Sequence, residues 1–296
     1  MTRENYNFAT PTIFLSLKKY STYTFMSTMT PINYCYEKIA AGGSPFYYCV
    51  KKISTLERDA VVAIAAFYEE LTDIILKGSD LQVSINQINW WRSEIVKIAT
   101  GSPDHPVARA LQEKQINPQS LLNILNGLEE TLNVTRFDTF ETAVIHIMRT
   151  AGAREVLIAD VLNVDISKEI LYQFAIVLDL ANYIQYLRQY VRRDFILFPQ
   201  DEMNQFQVTA ESLREYKTTP AIVNLLNYQL EKVERAYQKA RNELPPSMSN
   251  RLSYLLARCD IAEKTLHELQ RSGFTVLENF IQLTPLRMWW IAYRSG

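Results

Sequence analysis

The sequence predicts an all-α protein, and three of its features support this. Apolar side chains recur at helical spacing through most of the chain, and no stretch shows the strict alternation typical of a half-buried strand. The 296 residues include only 8 glycines and 11 prolines. Apolar residues make up 48% of the chain and charged residues 21%, which allows a sizeable core. We therefore predict one helical domain of roughly ten helices over residues 31–296.

The N-terminal stretch differs in composition from the rest. Residues 1–30 are rich in Ser, Thr and Tyr and contain a single acid, Glu4. We predict a flexible leader there, although the same stretch also fits an organelle-targeting peptide or a start site placed too early. The organised chain then begins with a short helix, a break at Gly42–Gly43 and a second helix opening at Ser44–Pro45. Serine caps a helix N-terminus and proline favours its first turn.

The helices that follow are longer. Thr55–Lys77 carries apolar side chains on nearly every face, as is typical of a helix buried inside a large bundle, and Gly78 ends it. Glycine and proline mark most of the later boundaries. The further predicted elements are helices at Leu81–Thr100, from Pro106, at Gln119–Leu132, Thr139–Leu162, Ser167–Arg193, Pro220–Leu244 and Ser247–Ser272, a loop at Phe198–Met203, and a last helix from Pro285.

Charge and cysteine usage narrow the function classes. The formal net charge of −1 gives no general attraction to nucleic acid, so we predict no such partner. The three cysteines are widely spaced, which argues against a disulfide scaffold or a zinc site and favours the cytoplasm. No apolar run approaches the roughly 18 residues that a membrane-spanning helix needs, so we predict no transmembrane segment.

Seven segments, in order across residues 32–293, resemble squalene/phytoene synthases. They are YCYEKIAAGGSPFYY, NWWRSEI, HPVARAL, GLEETLNVTRFDTFE, RTAGA, NYIQYLRQYVRRDFILFPQDE and GFTVLENFIQLTPLRMWW. The ordered set carries the resemblance, because no one segment is decisive. It implies the all-α terpenoid-synthase fold, a helical bundle around a deep apolar cavity that takes two prenyl diphosphates head to head.

In that family the chemistry depends on two DxxxD motifs on facing helices. Residues four apart lie on one helical face, so each motif offers two carboxylates to the same space. Mg²⁺ prefers oxygen ligands and is commonly held by one or two carboxylates together with substrate phosphates. The metal ions anchor the diphosphate and stabilise the charge that develops as it leaves.

Most acids of this pattern are replaced in the present chain. The family's metal-motif positions fall at Thr72 and Leu76, at Tyr186 and Tyr190, and at Thr131, while Asp73, also usual in the family, is kept. We therefore predict no catalytic set and no metal at these positions. A displaced acidic pair, Glu69 with Asp73, is the alternative. The small residues that line the family's pocket are replaced in part as well, by Arg154 and Glu155.

The second motif helix carries a tyrosine stripe. Tyr183, Tyr186 and Tyr190 stand at i, i+3 and i+7, and we predict that they partly fill the former metal chamber. Each buried tyrosine contributes about 1.5–3 kcal/mol when its hydroxyl finds a partner. Asn182 and Phe67 join Tyr183 as predicted pocket residues.

Two further features each leave two interpretations open. Arg188, Arg192 and Arg193 either bind a phosphate group without metal or serve a structural role at a helix C-terminus. The aromatic C-terminal helix, with Trp289 and Trp290, either closes the core or rests on a membrane surface.

The substitutions predict a family member that has lost Mg²⁺-dependent prenyl transfer. Its role would be to bind an isoprenoid diphosphate or lipid, or a protein in a membrane-associated complex, in the cytoplasm or at the periphery of the inner membrane. The family resemblance supplies a precedent, since complex I assembly factors are acid-poor members. The alternative is an active Mg²⁺-dependent synthase that condenses two farnesyl or geranylgeranyl diphosphates head to head.

Overall fold

The computed structural model describes residues 29–78, 80–134 and 136–295, and these fold into helices without a β-strand. The helices are α1 (Pro31–Ile39), α2 (Pro45–Val50), α3 (Thr55–Lys77), α4 (Leu81–Thr100), α5 (Pro106–Glu113), α6 (Pro118–Thr131), α7 (Phe140–Ile147), α8 (Ala153–Val161), α9 (Lys168–Gln185), α10 (Leu187–Val191), α11 (Gln200–Gln205), α12 (Ala210–Arg214), α13 (Pro220–Glu243), α14 (Pro246–Ser249), α15 (Ser253–Arg271) and α16 (Pro285–Arg294). A π-helical segment, Met148–Gly152, joins α7 to α8, and Thr275–Leu277 forms a 3₁₀ turn. The predicted leader lies almost wholly outside the described residues.

Polar caps followed by proline start several helices. The side chains of Ser44, Asn117, Thr219 and Thr284 each accept a hydrogen bond from a backbone N–H of the first turn, and proline follows each of them. The cap satisfies a donor that the helix leaves unpaired, and proline has no N–H to leave unsatisfied. Because a capping residue followed by proline is a local pattern, these helix starts could be predicted from the sequence.

Four predicted elements differ from the structure. The helix predicted over 139–162 contains the π segment, and the one predicted over 167–193 breaks at Tyr186, whose backbone leaves helical geometry (φ −104°, ψ 18°). The loop predicted over 198–203 contains the first turn of α11, and the helix predicted over 247–272 is interrupted between α14 and α15. Tertiary contacts described below hold the break at Tyr186.

Helix α9 lies at the centre of the bundle. It packs against α13, α15, α8 and the π segment, while α3 packs against α1, α5, α6 and α8 on the other side. A close approach holds α6 to the π segment, because a Cβ at Gly127 would lie 2.3 Å from the backbone oxygen of Arg149. One continuous apolar core therefore joins α3 to α9, and the predicted single all-α domain is confirmed. No helix in the described ranges is both long and apolar enough to cross a bilayer.

Candidate functional site

The two helices that carry the motif positions, α3 and α9, border a small central chamber. It is lined by Tyr68, Thr72, Ile75, Leu76, Leu128, Thr131, His146, Thr150, Asp179, Tyr183, Tyr190, Phe195 and Leu197. Only about 40 Å³ of it can be reached by the centre of a water molecule. Since one water needs roughly 10–15 Å³ of such space, the chamber has room for about three waters. Four predicted motif positions, Thr72, Leu76, Thr131 and Tyr190, therefore meet around this small space.

Aromatic rings line the side of the chamber that is formed by α9 and the segment after it. The ring of Tyr183 lies 4.9 Å from that of Tyr190 and 4.8 Å from that of Phe198 between centroids, and Phe195 lies 5.8 Å from Tyr190. The side-chain amide of Asn182 donates a hydrogen bond of 3.0 Å to the Tyr190 hydroxyl. Tilted and edge-on pairs at these distances add to the free energy of apolar burial.

Three predicted site residues lie elsewhere. Tyr186 ends α9 and packs on Phe280, with ring centroids 5.4 Å apart, instead of lining the chamber. Asn182 has an exposed side chain and reaches the chamber only through Tyr190. Phe67 is fully buried against Trp91 of α4, at 5.3 Å between centroids. The tyrosine stripe is thus split, because the helix breaks before it reaches Tyr190.

The two threonines at predicted acid positions each have a hydrogen-bond partner within the bundle. The Thr72 hydroxyl donates to the backbone oxygen of Tyr68, one turn earlier in α3, at 2.9 Å. The Thr131 hydroxyl lies 3.3 Å from Nε2 of His146, a ring that is 9% exposed. Burial lowers the pKa of His146 to about 4, so the imidazole is neutral at pH 7.

The acids near the first motif are engaged by lysines. Asp73 contacts Lys38 at 2.8 Å and Lys77 at 2.6 Å, and Lys38 also contacts Glu70 at 3.2 Å. Glu69, the other member of the displaced acidic pair, is exposed as a residue, but neighbouring groups partly shield its carboxylate from water, and this shielding together with the charge of Asp73 raises its pKa. Asp73 is therefore neutralised by cations of α1 and α3.

Asp179 is the one carboxylate among the chamber-lining residues that the structure describes. Burial raises its pKa to about 6, and the nearby charge of Arg154 opposes that rise. The guanidinium of Arg154 lies over the ring of Tyr68, 4.2 Å from its centroid, so it stands beside the chamber as well. A permanent cation thus takes a position next to the only acid of the chamber lining.

A buried charge network holds Arg154 in place. Glu155 is 0% exposed and contacts Arg154 at 2.6 Å and Arg258 of α15 at 2.9 Å. The Tyr254 hydroxyl lies 3.3 Å from the same carboxylate. Burial raises the pKa of Glu155, but the two guanidinium groups outweigh it, and the net pKa is lowered. The sequence showed the two charges in a stretch of small residues, but it gave no sign of Arg258 as their partner.

The arginines after the second motif contact backbone carbonyls. Arg193 donates to the carbonyl oxygens of Leu76 and Gly78, at 2.5 and 2.6 Å, where α3 ends. Arg188 donates to the carbonyl of Leu277 at 2.9 Å. Arg193 therefore ties the C-terminus of α3 directly to the segment after α10. Phosphate binding by Arg188, Arg192 and Arg193 stays a prediction.

The donor set around the chamber does not suit Mg²⁺. It offers one carboxylate with a raised pKa, a threonine hydroxyl engaged with its own helix, and a tyrosine hydroxyl bonded to Asn182. Mg²⁺ demands near-octahedral oxygen ligands, which usually include one or two ionised carboxylates. In the described ranges, no three His, Cys, Asp or Glu side chains converge in a way that could hold a metal ion.

A larger opening lies outside the chamber. It is a groove of about 390 Å³ beside the π segment, lined by Asn123, Asn126, Gly127, Glu130, Ile145, Met148, Arg149, Ala153 and Tyr172. An ion pair between Arg149 and Glu130, at 2.8 Å, borders it. This groove contains none of the motif positions.

Replacing Tyr190 with Phe is expected to cost about 1 kcal/mol of stability, while the same change at Tyr183 is expected to be neutral or stabilising. Tyr190→Phe leaves the Asn182 amide without its acceptor. The Tyr183 hydroxyl is buried without a hydrogen bond to the described chain; the backbone N–H of Leu197 lies close enough to oppose the rise of its pKa, but not in bonding geometry. Urea unfolding of both variants measures the difference, and equal losses would contradict it.

The geometry described so far defines a helical-bundle protein with two facing motif helices and a central chamber, as in the terpenoid synthases. The family model described as squalene/phytoene synthase matches residues 39–290, and the chain belongs to that family. The family expected from the seven sequence segments is therefore confirmed.

Sequence relatives are distant. The chain is 20% identical to phytoene synthase 1, chloroplastic, of Arabidopsis thaliana over 218 residues, covering 70% of this chain and 52% of that protein. It is also 20% identical to the phytoene synthase of Arthrospira platensis over 225 residues, covering 70% of this chain and 73% of that one. The chain spans about half the length of the plant relatives first matched.

Solved structures resemble the chain in fold. A dehydrosqualene synthase determined in complex with a ligand superposes with a TM-score of 0.75 at 15% identity, covering 89% of this chain and 94% of that one. Squalene synthase HpnC from Alicyclobacillus acidocaldarius superposes with a TM-score of 0.65 at 16% identity, covering 82% and 94%. These matches place the helical bundle within the terpenoid-synthase fold.

Proposed function

We propose that this chain is a member of the squalene/phytoene synthase family that acts by binding a partner protein and does not catalyse prenyl transfer. The observation that carries the proposal is the content of the chamber between α3 and α9. Tyr183, Tyr190 and Phe195 fill the space beside the second motif, and the remaining volume is about 40 Å³. Two prenyl chains need far more room than about three waters.

The electrostatics of the chamber support the same proposal. Ionising an allylic diphosphate requires cations that grip the leaving group, and in this family carboxylates hold those cations. Here Asp73 is paired with Lys38 and Lys77, and Asp179 lies next to Arg154. Two of the carboxylates that remain, Asp73 and Asp179, thus lie beside the protein's own cations.

The outside of the bundle is the better place for a binding role. An isoprenoid lipid inside the bundle would have to displace Tyr183 and Tyr190, which pack on each other at 4.9 Å. A partner protein needs no internal volume, and family members that assist complex I assembly give a precedent for such a role. The partner would belong to a membrane-associated complex reached from the cytoplasmic side or at the periphery of the inner membrane.

Purified protein with Mg²⁺, farnesyl or geranylgeranyl diphosphate, and NADPH is expected to release no diphosphate above a no-protein control. The same mixtures are examined for squalene- or phytoene-type products, with an active phytoene synthase assayed in parallel to show that the conditions support turnover. Turnover by this chain would overturn the proposal in favour of an active synthase.

Calorimetry separates the binding alternatives. A non-hydrolysable farnesyl diphosphate analogue is titrated into the protein with and without Mg²⁺. No heat of binding supports a protein partner. Saturable binding would instead assign an isoprenoid ligand, and loss of that binding in Arg193→Gln or Arg192→Gln would assign the phosphate to the arginine cluster.

A further inference from the structure

The last helix, α16, exposes its largest apolar and aromatic side chains to solvent. Leu286, Trp289, Trp290 and Tyr293 stand at i, i+3, i+4 and i+7 and therefore share one helical face. That face points outward: the four side chains are 72%, 47%, 50% and 70% exposed. We call these four residues the aromatic face.

The opposite face of α16 fixes the helix to the bundle. Met288 and Ala292 are buried, at 1% and 3% exposure, against Cys49 of α2 and Ala257 and Ile261 of α15. Of the two interpretations of this helix, the one in which it closes the core therefore describes only this side. Because the buried side chains anchor the helix from behind, the aromatic face is presented as a fixed surface.

The aromatic side chains are ordered among themselves. The ring of Tyr293 stacks with Trp289 at 5.8 Å and with Trp290 at 6.2 Å between centroids, with interplanar angles of 19° and 26°. Trp and Tyr rings with one apolar and one polar end are the side chains favoured at the boundary between lipid headgroups and acyl chains. A cluster of this kind, open to solvent, is typical of a contact surface.

Basic side chains lie beside the aromatic face. Arg294 lies over Trp290 at 5.6 Å, and the amine of Lys52, just after α2, donates a hydrogen bond of 2.6 Å to the backbone oxygen of Ser295 at the end of α16. Arg287 and Arg271 share a single acid, Glu268, at 3.0 and 3.7 Å. The rim is therefore rich in cations, which complements a surface that is both apolar and negatively charged.

We propose that the aromatic face of α16 docks on an anionic lipid bilayer, with the helix lying in the plane of the headgroups. The helix has 10 residues and is about 15 Å long, so it rests on the surface without spanning it. Apolar burial of the rings supplies the attraction, and the basic rim adds attraction to anionic headgroups. This proposal is independent of the proposed binding function, because an active synthase could dock in the same way.

Co-sedimentation with phosphatidylcholine vesicles, with and without phosphatidylglycerol, tests the proposal. The full chain is expected to bind the anionic vesicles more tightly than the neutral ones and to be released in part by high salt. The double variant Trp289→Ala with Trp290→Ala is expected to bind at least tenfold more weakly. The double variant Leu56→Ala with Val96→Ala, which removes apolar side chains that are 91% and 53% exposed on other helices, is the matched control and is expected to bind like the parent.

Each other outcome overturns the proposal. Failure of the parent protein to bind anionic vesicles excludes bilayer docking, and equal loss of binding in both double variants assigns the contact to general hydrophobicity. A concentration-dependent dimer that the tryptophan variant abolishes, without vesicle binding, would assign the face to a second copy of the chain. Thermal unfolding of the variants checks that the fold is kept, which is expected because the replaced tryptophans are half exposed.

Discussion

Replacing Glu155 with Gln is expected to lower the free energy of unfolding by about 3–5 kcal/mol. The carboxylate is fully buried and contacts two guanidinium groups, from Arg154 and Arg258. Gln keeps the size of the side chain but removes its charge, and the two cations are then left in a dry environment without compensation. Chemical denaturation, analysed with a constant m-value, measures the loss.

Two comparisons separate this charge effect from packing. Glu130→Gln breaks an ion pair of similar length, 2.8 Å to Arg149, but both partners are at least half exposed, so the expected loss is below about 1 kcal/mol. The triple variant Arg154→Met, Glu155→Met, Arg258→Met removes all three charges and is expected to recover most of the loss. If Glu155→Gln costs no more than Glu130→Gln, the network does not hold the chamber wall.

The network also shows where sequence reasoning reaches its limit. Helix starts such as Thr219–Pro220 were predictable because capping and proline geometry are local. The position of Arg258, about a hundred residues after Glu155, depends on where the bundle places α15, and local patterns carry no such information. The resemblance to the family predicted which positions have lost their acids, but not what the replacements would contact.

The break at Tyr186 has a similar cause. The segment around it contains no Gly or Pro, so its pattern predicts an unbroken helix. In the structure, Tyr186 packs on Phe280, and Arg188 reaches the carbonyl of Leu277, so the segment after α15 holds both sides of the break. Tertiary contacts therefore decide which tyrosines face the chamber, and a predicted stripe of three becomes a pair, Tyr183 and Tyr190.

Two chamber residues, Asp179 and His146, are expected to change the free energy of unfolding with pH in opposite directions. The two changes nearly cancel in the parent protein. Asp179 has a pKa of about 6 in the folded chain against an ordinary 3.8, so between these values the folded state holds a proton that the unfolded state has lost. Its contribution to stability is therefore full below pH 4 and falls by roughly 3 kcal/mol as the pH rises to 6.

His146 acts in the other direction. Burial lowers its pKa to about 4 from 6.5, so between these values the unfolded state holds a proton that the folded state lacks. Its contribution is full above pH 6.5 and falls by roughly 3 kcal/mol as the pH drops to 4. Between pH 4 and pH 6.5, these two groups together are therefore expected to change the stability of the parent protein little.

Single substitutions reveal how much each group contributes to the pH dependence of stability. The stability of Asp179→Asn relative to the parent is expected to rise by roughly 3 kcal/mol between pH 4 and pH 7, and that of His146→Asn to fall by a similar amount. Differences from the parent at each pH are compared, since the titrations of other groups then cancel. A flat difference for Asp179→Asn would mean that its carboxyl titrates as it does in water. The chamber would then be wet and open at that point, and the case for a filled, non-catalytic centre would lose its main support.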